Sequence, residues 1–342
     1  YETAGKRRDE IDNFYQSCAL LLNCKPTEIA FVENATRAWD MAFYSFKFNA
    51  GDKILTSITE YGSSVIAYIQ QANRFGVEIV FVPNDQHGQV DVSALENMID
   101  EHVKLISMNH IPTGGGLVNP VAAIGKIANK HAIPYLLDSC QGVGHIPIDV
   151  DELGCDMLCG TGRKYLRGPR GTGFLYVRES LIGQLEPPIL DQHAATLVSP
   201  TEYVMQTDAR RFENWEQNIA GKAALGVAID YALGWGLENI KQRTYHLADY
   251  LRTQLANVNN AIVTDEGVER CGIVTFTIRN IQPAMIKAHC VKASINLTTS
   301  KGSGSLVSFQ QRGLTEVVRA SVHYYNTFDE VDTFIEVLQR LK

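Results

Sequence analysis

Tyr135-Leu136-Leu137-Asp138-Ser139-Cys140-Gln141 and Met157-Leu158-Cys159-Gly160-Thr161-Gly162-Arg163-Lys164 decide how this 342-residue chain folds. Each begins as a short apolar run and stops on polar residues. Runs of four or five residues that are apolar on both sides predict strands buried on both faces, as in a parallel sheet covered by helices. The pattern repeats toward the N-terminus. Ile29–Val32, Lys53–Ser57, Glu78–Val82 and residues 104–109 predict strands, with helices between them over 36–46, 63–75, 92–99 and 120–131. Gly173–Val177 predicts a further strand, and residues 9–22 carry helical spacing in Ile11, Phe14, Tyr15, Cys18, Leu21 and Leu22.

Beyond residue 235 the rhythm changes. A long helix over 238–258, a strand over 272–278, a helix at Pro283–Lys292, a flexible Gly/Ser loop over 300–305, a strand over 317–322 and a last helix over 329–341 read as a smaller α+β unit. The expected division is an N-terminal helix over 1–20 packing with the small domain, a large domain over 21–235 and a small C-terminal domain over 236–342. Position 1 opens directly into a helix without a Met, so a native N-terminal segment is expected to be missing.

Composition narrows the function classes. Hydrophobic residues make up 45% and charged residues 20%, enough apolar content to build a core. A net charge of −7 gives no global field for nucleic acid or an anionic membrane, so any bound anion needs a local pocket. No apolar run approaches the roughly 18 residues of a membrane span. Seven cysteines, an odd number in a long chain, argue against a secreted disulfide framework, and the expected compartment is the cytoplasm. Cys155 and Cys159 read either as small apolar residues leading into a strand or as a metal pair; the nine histidines are scattered, and no metal site is expected.

In open parallel sheets ligands bind beyond the carboxyl ends of the strands, so the residues that follow each strand carry the chemistry. Those segments are 33–36, 59–61, 109–116, 138–141 and 160–164. Arg163, Lys164, Arg167 and Arg170 lie in a glycine-threaded stretch between two strands, which reads as a solvated basic loop or as an anion cradle. Asp138 ends an apolar strand and reads as a helix N-cap or as the partner of a buried cation. Taken together the segments offer a lysine, a buried acid, an aromatic residue and an anion cup. Those are the four things pyridoxal 5'-phosphate requires of a protein.

The runs Asp138-Ser139-Cys140-Gln141-Gly142-Val143-Gly144-His145, Thr161-Gly162-Arg163-Lys164 and Gly168-Pro169-Arg170-Gly171-Thr172-Gly173 resemble the class V aminotransferase family from about Ala30 to the C-terminus. That family includes cysteine desulfurases, selenocysteine lyase, cystine C–S lyases and isopenicillin N epimerase. The resemblance implies the fold type I architecture of pyridoxal-phosphate enzymes: a mostly parallel seven-stranded sheet with helices on both faces, plus a smaller α+β domain. It further implies a homodimer acting on a small amino-acid substrate. Carried over by resemblance, Lys164 bears the cofactor as a Schiff base and Asp138 holds its ring nitrogen. Gln141 meets the phenolic oxygen, near which Thr113 replaces the Asn of desulfurases. Ala35, Thr36, Thr161 and Arg163 cup the phosphate, Tyr61 stacks on the ring, and Arg319 grips the substrate carboxylate.

Two departures stand out. Desulfurases carry a nucleophilic cysteine on the loop before the arginine, whereas residues 298–305 here contain none, which counts against persulfide-forming chemistry. Arg211-Phe212-Glu213 matches a family signature but is followed by Asn214-Trp215-Glu216 rather than Gly-Thr, so Trp215 and Glu216 are expected to make a different cross-subunit contact. A transaminase or a β-eliminating C–S lyase is the expected activity. An epimerase and a nonenzymatic module of the same fold are the alternatives.

Overall fold

The computed structural model describes residues 2–341; Tyr1 and Lys342, the outermost residues of the expected first and last segments, lie outside the described residues. The chain begins with α1 (Glu2–Lys6) and α2 (Arg8–Leu22), then alternates strands and helices through β1 (Ile29–Val32), α3 (Ala35–Phe43), β2 (Lys53–Ser57), α4 (Gly62–Phe75), β3 (Glu78–Val82), α5 (Val92–Asn97), β4 (Val103–Asn109), α6 (Val121–Lys130) and β5 (Tyr135–Asp138). It continues with α7 (Val150–Leu153), β6 (Met157–Thr161), β7 (Gly173–Val177), α8 (Glu179–Ile182), the hairpin β8 (Ala195–Ser199) and β9 (Glu202–Met205), and the helices α9 (Ile219–Trp235) and α10 (Leu237–Leu255). The last part holds β10 (Ala261–Val263), β11 (Ile273–Ile278), α11 (Pro283–Lys292), β12 (Thr298–Lys301), α12 (Leu306–Gln311), β13 (Glu316–Ser321) and α13 (Phe328–Gln339).

Seven strands form the large sheet in the order β1-β7-β6-β5-β4-β2-β3. Strands β6, β5, β4, β2 and β3 pair in parallel, β7 is antiparallel to both neighbours, and β1 therefore runs with the majority. Side chains alternate faces along a strand. Phe174 and Tyr176 of β7 join one hydrophobic cluster while Leu175 and Val177 join another, so the two clusters lie on opposite faces of the sheet. Helices α2, α6 and α9 supply the first cluster, and α3, α4 and α8 the second. A third cluster binds α10, α11 and α13 to a four-stranded antiparallel sheet, β10-β11-β13-β12.

Several expectations are corrected. The N-terminal helix packs on the large sheet's side rather than with the small unit. Its buried residues Phe14, Tyr15, Cys18, Leu21 and Leu22 meet Phe31, Leu225 and Ile229, with the Phe14 and Phe31 rings edge to face at 5.3 Å. The stretch over 300–305 is no free loop. β12 pairs with β13 through Lys301↔Glu316 and Thr298↔Arg319, because two β-branched threonines favour extension and find a partner strand. Helix α9 escaped the periodicity reading because it is apolar nearly all round and shows no stripe. It is separated from α10 by Gly236 at φ 81°, a backbone conformation that disfavours other residues. No helix among the described residues is long and apolar enough to cross a membrane.

Candidate active site

Because β2, β4, β5 and β6 run in parallel, the segments after them converge at one edge of the sheet. All ten residues singled out from the sequence line one cavity there: Ala35, Thr36, Tyr61, Thr113, Asp138, Gln141, Thr161, Arg163, Lys164 and Arg319. Nine come from the large sheet's side. Arg319 arrives on β13, held between Thr275 of β11 and Thr298 of β12.

Each wall has a local cause. Ala35 and Thr36 open α3, where the first backbone N–H groups have no helical partner and the dipole favours an anion. Asn34 caps that helix by accepting the Arg37 N–H at 2.9 Å. Asp138 ends β5 and accepts the Cys140 N–H at 2.8 Å, which turns the chain into the cavity. Thr161 is buried and donates its hydroxyl to the Thr172 carbonyl at 3.3 Å. Tyr61 precedes α4 and stands 40% exposed at the mouth. Thr113 is fixed from the small unit's side: Ser300 Oγ donates to its carbonyl at 3.3 Å, and the nearby Gly116 N–H donates to Asp265 at 3.1 Å.

Further residues line the same cavity: Asn109 and Cys140, which belong to the strand-end segments 109–116 and 138–141 but were given no role, and Trp39, Ser63 and Ser64, which the sequence reading did not single out. Ser63 and Ser64 sit in the first turn of α4, just past the segment 59–61. Asn109 accepts from Thr59 Oγ1 at 3.1 Å and from Asn119 Nδ2 at 2.8 Å, and so braces the turn before Tyr61. Glu60 is buried behind that turn, accepting the Tyr61 N–H at 2.9 Å and the Thr56 hydroxyl at 3.2 Å. Burial, and then the charge of Asp138, push its carboxyl up to about 8. Burial also pushes the Cys140 thiol up to about 11 against the opposing pull of Lys164.

The Arg-Phe-Glu stretch is a bracket rather than part of the cavity wall. Arg211 donates to the carbonyls of Gln206 and Ile182, both at 2.8 Å. Glu213 accepts from the Tyr15 hydroxyl and the Phe31 N–H, each at 2.8 Å, and from His193 at 2.9 Å. Trp215, which follows, is exposed.

Two buried polar atoms in the cavity's lining residues, Gln141 Nε2 and Arg319 Nε, have no hydrogen-bond partner among the described residues. Arg319 makes one long hydrogen bond, to Thr113 Oγ1 at 3.4 Å, and burial lowers its proton affinity. Unpaired buried donors cost free energy that a polar ligand would recover. The donors fit an anionic, oxygen-rich molecule. A primary amine at Lys164 and a carboxylate at Asp138 add what a pyridine aldehyde phosphate needs. The residues present therefore fit pyridoxal phosphate.

Fold and cavity together place the chain among the pyridoxal-phosphate-dependent enzymes of fold type I. The family model for class V aminotransferases matches residues 2–334, and the chain belongs to that family. It is 30% identical over 330 residues to a probable cysteine desulfurase of Methanothermobacter thermautotrophicus, covering 95% of this chain and 82% of that protein. It is 28% identical to a cysteine desulfurase of Escherichia coli, covering 99% of this chain and 84% of that one. Among solved structures, the apo cysteine desulfurase of Thermococcus onnurineus superposes with a TM-score of 0.93 at 27% identity, covering 98% of this chain and 84% of that one.

Proposed function

We propose that this chain is a pyridoxal-phosphate-dependent β-eliminating lyase that breaks a carbon–sulfur bond in an amino acid. The observation that carries the reading is that Lys164, Asp138 and Arg319, from three separate stretches, line one cavity. Relatives named cysteine desulfurase support the choice of a carbon–sulfur bond.

When bound, the cofactor supplies an electron sink for the charge left at Cα. Lys164 Nζ would hold the cofactor through its aldehyde, and as a free amine it would serve as the base that takes the substrate's Cα proton. Asp138 would keep the ring nitrogen protonated, and Gln141 Nε2, which has no partner among the described residues, would donate to the phenolic oxygen, with Thr113 beside it. The open amides of Ala35 and Thr36, with Thr161 and Arg163, would hold the phosphate, and Tyr61 would cover the ring. Arg319 pairs with the substrate carboxylate, a geometry that guanidinium suits. Loss of the Cα proton and of sulfur with the Cβ–S bonding pair would leave sulfide, or a persulfide from cystine, which takes up a proton, and an aminoacrylate that water hydrolyses to pyruvate and ammonia. Residues 298–305 offer hydroxyls and no thiol, so sulfur is released rather than handed to a loop cysteine.

We further infer a homodimer, supported by the exposed apolar hairpin residues Leu197, Val198, Tyr203 and Val204. A cytoplasmic location is supported by seven free cysteines.

The test is product analysis on purified protein with cysteine, cystine and alanine. Loaded enzyme is expected to be yellow, to be fixed at Lys164 by borohydride, and to form pyruvate from cysteine or cystine without a keto acid. Alanine as product would indicate desulfuration. Dependence on a keto acid would indicate transamination, and inversion at Cα epimerisation. A protein that takes up no pyridoxal phosphate would be a nonenzymatic module.

A further inference from the structure

Behind the cavity, three rings stack in a column that joins the large sheet's side to the small unit. His145 lies on Tyr165 at 3.7 Å and 13°, and Tyr165 on His323 at 5.2 Å and 21°. All three are buried, and none lines the cavity. Tyr165 follows Lys164 directly. His323 lies just past β13, the strand that carries Arg319.

Hydrogen bonds fix which nitrogen of each ring carries the proton. The Gly272 N–H donates to His145 Nε2 at 3.0 Å, so that nitrogen is an acceptor and Nδ1–H donates to the Gln141 carbonyl at 3.2 Å. The Tyr324 N–H donates to His323 Nδ1 at 3.0 Å, so Nε2–H donates to the Tyr165 carbonyl at 3.1 Å. Both rings must be neutral to do this, and burial holds them so, at about 3 for His145 and about 4 for His323. Each histidine thus bridges a backbone group beside the cavity to one in the small unit. The Tyr165 hydroxyl adds a third bridge, donating to the Val322 carbonyl at 3.3 Å. At the surface Arg167 closes the column, bonded to the Tyr324 hydroxyl and standing 4.9 Å over that ring.

We propose that His145, Tyr165 and His323 are positioning residues that clamp the Lys164 loop to the strand bearing Arg319, so that the base and the carboxylate grip keep a fixed spacing. This rests on the proposed role of Lys164 and Arg319 at one substrate. Neither element can set that spacing alone, because they belong to different sheets. The donor on His323 is the decisive link, since it reaches the carbonyl of the residue next to Lys164.

The experiment compares His323→Gln with His323→Phe in cofactor-loaded enzyme. Gln keeps an N–H for the Tyr165 carbonyl; Phe keeps the stack but has no donor. The readouts are kcat/KM with cysteine and the pH midpoint of the visible absorption band, which reports the surroundings of Lys164. His323→Phe is expected to lower kcat/KM about ten-fold and move the midpoint by about half a pH unit, while His323→Gln recovers to within about three-fold. Tyr165→Phe, which loses only the bond to Val322, should move both in the same direction by less, and stands in if His323→Phe does not fold. Equal behaviour of the Gln and Phe variants, or a wild-type midpoint in both, would overturn the clamp. Wild-type protein with no visible band after loading would instead sink the cofactor reading itself.

Discussion

Glu60 is a carboxyl that the fold keeps out of water beside another acid, and its removal should make the protein more stable in a defined pH window. In the unfolded chain the group has the ordinary value of 4.5; in the folded protein, burial and then Asp138 raise it to about 8. A raised acid binds its proton more tightly when folded, so its contribution is fully present below 4.5 and is lost as pH rises toward 8. At about 1.4 kcal/mol per pH unit the loss across that window reaches roughly 5 kcal/mol, an upper figure for one group. Glu60→Gln has nothing to ionise. Its Oε1 can still accept the Tyr61 N–H, and its amide can donate to Thr56. Urea unfolding of the cofactor-free protein at intervals from pH 5 to 9 tests this. The stability of wild type minus Glu60→Gln should fall steadily with pH, by at least about 2 kcal/mol between pH 5 and 8. Parallel curves would refute the reasoning, since they would mean that Glu60 ionises as readily inside the fold as outside it.

Arg319→Leu removes the guanidinium from a buried site with no compensating cation on β13; kcat/KM for cysteine should fall about ten- to a hundred-fold, with uptake of pyridoxal phosphate unchanged as measured by absorbance. Gly272→Ala would set a methyl 2.2 Å from Thr244 Cγ2 and 2.9 Å from His145 Nε2, so it should destabilise the fold by about 1–3 kcal/mol, read by thermal melting.

The parts legible in the sequence were those written by short-range rules. Asp138 and Lys164 stand at the ends of apolar strands, and parallel strands put such ends side by side, so their meeting follows from the strand assignment alone. Arg319 was legible only through the resemblance of its flanks, because nothing in the spacing of a small antiparallel unit says which edge it presents to the large sheet. Glu60 was named only as part of the segment 59–61 and given no role, since only the packing around it reveals that a glutamate at a turn is buried. The histidine bridges were invisible for a related reason. Their partners are backbone groups, such as the Gly272 N–H for His145, and backbone groups leave no residue-type pattern. The expectation for the N-terminal helix failed because an amphipathic stripe says that a face is covered, not by what; Leu225 and Ile229 of a mostly apolar helix decided it.

The chemistry of the leaving sulfur depends on where a thiol could stand. Residues 298–305 are pinned by strand pairing, by Ser300 Oγ to the Thr113 carbonyl and by Ser305 Oγ to the Thr59 carbonyl, each at 3.3 Å, so the segment has a fixed place against residues around the cavity and carries hydroxyls and Lys301 but no thiol. Cys290 is buried in α11, its thiol raised to about 11. Cys140 lines the cavity, but burial pushes its thiol up to about 11, which favours the protonated form and makes it a poor acceptor for sulfur. On the proposed reading, carbon–sulfur cleavage in this cavity would end in expulsion of the sulfur fragment rather than its capture by the enzyme, and Lys164 and Arg319 would address the substrate's amino and carboxyl groups.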